Sequence, residues 1–123
     1  MKLRFRGNTL RLRVNRREVD ALASGDLVQE DVFFPNQARF TYIFEPSRNA
    51  VPLASFESNT LRVAAPLLQV RNWAHTELIG LYYNFETEGT VLKVAIEKDL
   101  ECTDSTAEDN DPDAFPRTKG NNC

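Results

Sequence analysis

The feature that most restricts what this chain can fold into is an internal repeat. Sliding the 123-residue sequence along itself by 51 positions aligns Phe5 with Phe56 and Asn8-Thr9-Leu10-Arg11 with Asn59-Thr60-Leu61-Arg62. The same offset pairs Val19, Ala23, Leu27 and Phe34 with Val70, Ala74, Leu78 and Phe85. These are nine identities over thirty gap-free positions, where average residue usage gives unrelated sequences about one match in twenty. A shift of one more residue pairs Phe40, Tyr42, Phe44 and Glu45 with Leu92, Val94, Ile96 and Glu97. Two copies result, about 1–47 and 52–99, with 100–123 left over as an acidic tail.

Both copies have the same rhythm. Leu3 and Phe5, then Leu10, Leu12 and Val14, alternate with Arg4, Arg6, Arg11 and Arg13. This period of two predicts a pair of half-buried strands around a Gly7-Asn8 turn. Asn15 with Glu18 three residues later resembles a capping box, and Val19, Leu22 and Ala23 supply the apolar stripe of a short helix ending before Gly25. In the second copy Pro66 opens the helix that carries Leu67, Val70, Trp73 and Ala74. Two further strands are expected in each copy, over 27–34 and 39–45, then over 78–85 and 91–97, with 46–51 as the connection between copies. A unit of some 45 residues buries too little apolar surface to stand alone. The expected fold is therefore β-rich α+β: a duplicated ββαββ interlocked about a pseudo-twofold axis into one barrel-like domain, closure of which would remove exposed strand edges. Such a duplication supplies its own pseudo-dimer and is compatible with a monomer.

Charge divides the chain. Residues 1–17 carry seven basic side chains and no acid, whereas residues 97–123 carry eight acids against Lys98, Arg117 and Lys119. The formal net charge of −3 thus combines a slightly basic body with a strongly acidic end, and does not argue against a polyanionic partner for the body. No apolar run approaches the roughly 20 residues of a membrane span, and Met1-Lys2-Leu3-Arg4-Phe5-Arg6 builds no signal-peptide core, so a soluble, cytoplasmic protein without a membrane partner is expected.

The run from Gly7-Asn8-Thr9-Leu10-Arg11-Leu12 through Val14-Asn15-Arg16-Arg17-Glu18-Val19 resembles the AbrB and MazE swapped-hairpin family. Leu61-Arg62-Val63 through Pro66 and Val70 is similar to the same pattern. The resemblance implies an intertwined barrel of two ββαββ units and DNA binding through basic residues of the first hairpin, here Lys2, Arg4, Arg6, Arg11 and Arg13. The second copy departs from this, with Glu57 where the first has Arg6. The whole chain, including Glu97-Lys98-Asp99 and Asp113-Ala114-Phe115-Pro116, also resembles a family of small bacterial proteins of unassigned function.

Catalytic chemistry is poorly supplied. His75 is the single histidine, no nucleophile motif brackets it, and its place near the end of the second helix suits the helix dipole. No P-loop, dinucleotide turn or HExxH occurs, so neither an enzyme nor a cofactor is expected. Asp109-Asn110-Asp111-Pro112-Asp113 has the alternate acids that begin a calcium loop, but Ala114 and Gly120 stand where the required Gly and Glu belong. Cys102 and Cys123 lack the companions of a zinc site and are read as reduced thiols. Two functional readings stay open. One is a non-catalytic interaction domain that binds nucleic acid or protein through the first hairpin. The other is a small-anion-binding barrel with arginines lining the site. A concave arginine-lined pocket favours the second, a convex stripe the first. The acids of the tail either pair with the basic hairpin or form a solvated linker.

Overall fold

The computed structural model describes residues 1–100, 113 and 115. The cysteines and the calcium-like run, Asp113 apart, lie outside the described residues. The elements run β1 (Lys2–Arg6), β2 (Thr9–Val14), α1 (Arg16–Ala23), β3 (Val28–Phe33), β4 (Arg39–Ser47), β5 (Leu53–Glu57), β6 (Thr60–Pro66), α2 (Leu67–His75), β7 (Gly80–Thr87) and β8 (Thr90–Lys98). The order β-β-α-β-β thus occurs twice, as a duplication requires.

Local signals explain most boundaries. Gly7, at φ 54°, takes the left-handed conformation that turns β1 into β2 at no steric cost. Its counterpart turn uses Ser58 and Asn59, both at positive φ. Asn15 Oδ1 accepts from the Glu18 amide at 2.9 Å while Glu18 Oε1 accepts from the Asn15 amide at 2.9 Å, so the expected capping box is complete. Pro66 is the N-cap of α2, and His75 ends that helix, exposed. The expected connection begins later than 46, because β4 continues through Pro46 and Ser47 alongside Ala65 and Pro66. Pro46 lies beyond the last β3 partner of β4, the Val28–Phe44 pair, so a missing N–H is tolerated there.

Each copy hands its hairpins to both sheets. Sheet A has the order β1-β2-β8-β7 and sheet B the order β3-β4-β6-β5. Within a hairpin the strands are antiparallel, but the two central seams, β2 with β8 and β4 with β6, are parallel and join one copy to the other. The interlocking expected from the repeat is present.

The single closed barrel is not. β1 and β7 remain edges of sheet A, and β3 and β5 edges of sheet B. Between β1 and β3 side-chain contacts, and not a backbone ladder, link the two sheets. The Met1 ammonium, at the start of β1, lies 2.6 Å from Glu18 Oε2 of α1 and 3.3 Å from Glu30 Oε1 of β3. Tyr42 of β4 donates its hydroxyl to the Met1 carbonyl at 2.9 Å.

The core is built from the inward residues of both sheets, Leu10, Leu12, Val94 and Ile96 on one side and Phe44, Leu61 and Val63 on the other, with Val19 and Leu22 of α1 and Val70 and Trp73 of α2. Trp73 is fully buried and donates Nε1–H to the Ile79 carbonyl at 2.9 Å. Lys98 Nζ stands 5.9 Å from its ring centre and bonds the Thr76 carbonyl just past the end of α2. Arg71 of α2 donates to the Ala23 carbonyl at the end of α1, satisfying a carbonyl that the helix itself cannot.

Two predictions follow from this packing. Trp73→Ala removes the largest fully buried side chain and is expected to cost about 3–5 kcal/mol, read by urea unfolding followed by circular dichroism, with Trp73→Phe losing clearly less. The second concerns the Met1 ammonium: burial alone would lower its pKa, but the bond to Glu18 and the charges of Glu18 and Glu30 outweigh this and raise it. Its contribution is therefore complete below the ordinary α-amino pKa near 8 and is lost as pH rises through the higher folded value. The urea midpoint should fall above pH 8, and Glu18→Gln, which keeps the cap, should flatten that fall; an unchanged slope in the variant would refute the assignment.

Candidate nucleic-acid interface

The period of two places every second residue of β1 and β2 on one face of sheet A. The register pairs Lys2 with Arg13, Arg4 with Arg11 and Arg6 with Thr9, so the five basic residues singled out in the sequence share a face. The opposite face carries Leu3, Leu10, Leu12 and Val14 toward the core. Sheet order adds a member that the hairpin alone could not reveal. Thr9 pairs with Lys93 and Arg13 with Glu97 on β8, which brings exposed Lys93 onto the same surface.

The five are not equivalent. Lys2, Arg4 and Arg6 are exposed on the edge strand β1, and Arg13 is half-buried. Arg11 is buried: its Nε lies 2.9 Å from Glu97 Oε1, an ion pair without the alignment of a hydrogen bond. Glu97 Oε2 accepts from the Tyr82 hydroxyl at 2.8 Å. Partial desolvation of that phenol, then the bond to Glu97, raise its pKa above the ordinary value. Tyr82 lies across Gly80, where an added Cβ would come within 2.7 Å of the hydroxyl. Arg11 therefore belongs to a packed network on β2, β8 and β7 and serves the sheet before it serves any ligand. Each of Arg4, Arg6, Arg11 and Arg13 has an interaction partner in the folded chain.

The repeat reproduces this pair. Arg62 of β6 donates Nη1–H to Glu45 Oε1 of β4 at 2.8 Å, and in both seams the carboxylate stands one step diagonal from the arginine, opposite Ala64 or Arg13. The environments differ: the Arg11 and Glu97 side chains are 9% and 12% exposed, those of Arg62 and Glu45 44% and 26%. Gln29 faces Ile43 where Tyr82 faces Ala95, so no aromatic ring shields the second pair. The matching face of sheet B presents Gln29, Asp31, Phe33, Arg39, Ser55 and Glu57, and has no basic stripe.

Two surface cavities are lined by other residues. One, of about 520 Å³, lies between the β3–β4 and β5–β6 turns against Phe34, Arg39 and Asn59. The other, of about 410 Å³, lies between α2 and β7 against Leu68, Gln69 and Tyr83. Neither is lined by Lys2, Arg4, Arg6, Arg11 or Arg13. Among the described residues no group of three or more His, Cys, Asp and Glu is placed to hold a metal ion, and no helix is long and apolar enough to cross a membrane.

These features define a class: a duplicated α+β protein whose copies exchange hairpins between two open sheets, with one sheet face strongly basic. The chain belongs to DUF7009, a family of unknown function, whose model matches residues 1–119. Neither a curated protein nor a solved structure matches it.

The unequal burial of the two ion pairs gives a stability test. Glu97→Gln leaves Arg11 buried beside a neutral partner and should cost about 3 kcal/mol, in the range for breaking a buried pair. Glu45→Gln should cost about 1 kcal/mol or less. Equal losses in urea unfolding would contradict the structural role given to Arg11.

Proposed function

We propose that this protein is a non-catalytic cytoplasmic domain that binds nucleic acid through the outer face of sheet A. The observation that carries the reading is the row Lys2, Arg4 and Arg6 on an edge strand, backed by Arg13 and Lys93 on the strands beside it. Side chains on a strand face repeat about every 6.6 Å, two residues at roughly 3.3 Å each. The row is thus a line of guanidinium and ammonium groups suited to successive phosphates, and arginine can also read guanine edges. A two-stranded β-ribbon is one of the elements that a major groove admits. The reading agrees with the resemblance of this hairpin to the AbrB and MazE family, many members of which bind DNA through basic residues of the first hairpin.

The exposure of Lys2, Arg4 and Arg6 along an edge strand favours an extended polyanion over a small anion held in an arginine-lined barrel. Because sheet B has no matching stripe, contact is one-sided, and a single chain engages one stretch of backbone. Arg11 acts by holding the β2–β8 seam and not as a principal contact.

The test is binding of the full chain to a short DNA duplex across a salt series. Wild-type affinity should fall linearly in log–log coordinates, and Arg4→Ala with Arg6→Ala and Arg13→Ala should make that slope shallower by up to about 3 units, close to 0.9 for each lost phosphate contact. Binding absent at 50 mM salt, or a triple variant indistinguishable from wild type, would overturn the proposal.

A further inference from the structure

We propose that the cavity between the β3–β4 and β5–β6 turns binds a free 5′-mononucleotide, with Arg39 taking the phosphate and Phe33 and Phe34 the ring. The site lies on sheet B, away from the basic stripe, and stands or falls independently of the nucleic-acid reading.

The repeat supplies an internal control. Arg39 and Thr41 occupy the register positions that Val91 and Lys93 hold in the other copy, since Thr41 pairs with Thr60 and Lys93 with Thr9. In both sheets an asparagine carbonyl in the neighbouring turn accepts the equivalent amide, Asn59 from Thr41 at 3.0 Å and Asn8 from Lys93 at 3.1 Å. There the copies part. Asn8 Nδ2 also donates to the Val91 carbonyl at 2.9 Å and ties its two turns together. The Asn59 carboxamide has no such bond to a described residue, and Asn59 lines an open space of about 520 Å³. That volume falls within the range of small-molecule sites, about 300–1,000 Å³.

Backbone conformation separates the copies as well. Ser58 stands at φ 50° where its counterpart in the repeat, Gly7, stands at 54°, and Asn59 follows at 58°. In the β3–β4 connection Asn36 and Gln37 are at 64° and 60°, whereas the two-residue turn between β7 and β8 uses Gly89 at 82°. Among the described residues, every non-glycine at positive φ thus belongs to the two turns that wall this cavity. Side chains kept in a conformation that glycine adopts freely point to a use for those side chains.

Charge and exposed surface define the ligand. Among the described residues that line the cavity Arg39 alone is charged, and it has no ion-pair partner among the described residues. Phe33 and Phe34 are 74% and 52% exposed at the wall, apolar area that a flat ring would cover. One step further along the sheet Asp31, Thr41, Thr60 and Glu57 form a row with a carboxylate at either end, which opposes a second anionic group there. Thr41 is buried and gives its hydroxyl proton to Asp31 Oδ1 at 2.6 Å, so toward the cavity its oxygen only accepts. The molecule that fits has one anionic end, a flat ring and hydroxyls that donate, which is the chemistry of a nucleoside monophosphate.

The test is titration of the full chain with adenosine 5′-monophosphate, followed through backbone amide resonances, beside adenosine and inorganic phosphate at the same ionic strength. The nucleotide should shift Phe34, Thr41 and Thr60, and adenosine and phosphate should each bind at least about tenfold more weakly. Arg39→Ala should weaken the nucleotide about tenfold or more and leave adenosine unchanged, whereas Phe33→Ala should weaken both. Arg39→Gln repeats the measurement should circular dichroism show the alanine variant unfolded. No shift at about 5 mM nucleotide overturns the proposal, as does adenosine or phosphate bound as tightly as the nucleotide. Shifts confined to Lys2, Arg4, Arg6 and Arg13 and unaltered by Arg39→Ala also overturn it, because the nucleotide then sits on the basic stripe.

Discussion

The structure depends on two parallel seams, β2 against β8 and β4 against β6, each joining a strand of one copy to a strand of the other. Parallel neighbours cannot be linked by a tight turn, so a ββαββ unit by itself is left with two separate hairpins. Exchange supplies each hairpin with a partner, and the helices then fill the angle between the sheets, with Trp73, Leu22 and Phe44 fully buried. The seams make the halves interdependent: removing either copy unpairs one side of both sheets at once.

Each seam is fastened on its outer face by the same arginine–carboxylate pair in the same register, but burial gives the two copies different physics. In sheet A, Tyr82 closes over Glu97, and the pair is nine-tenths hidden from water. There a lost partner leaves a charge stranded in a poorly solvating place. In sheet B the pair faces solvent, where attraction and hydration nearly cancel. One duplicated motif thus yields a structural network on one side and a modest surface contact on the other.

Much of this was legible in the sequence, for identifiable reasons. The repeat, the period-two strands and the Asn15–Glu18 cap are local patterns, and local geometry decided them. That Lys2, Arg4, Arg6, Arg11 and Arg13 share a face also follows from alternation alone. Burial of Arg11, recruitment of Lys93 and the openness of the sheets were not legible, since all three depend on which strands become neighbours. The spacing Arg11 to Glu97 is 86 residues, and only the parallel seam brings them together. The matched offsets that align Arg11 with Arg62 and Glu45 with Glu97 did hold a signal for the cross-copy pair: the same two charges, repeated and exchanged.

The short connection between the copies, residues 48–52, carries a different consequence. Two identical ββαββ chains assembling in this way would need to meet by diffusion, and their folded fraction would depend on how much protein was present. Tethered by five residues, the halves meet as a unimolecular event, and stability becomes independent of dilution. Covalent linkage also releases the copies from identity: a homodimer must display any surface twice, whereas a fused chain can make one sheet basic and leave the other nearly neutral.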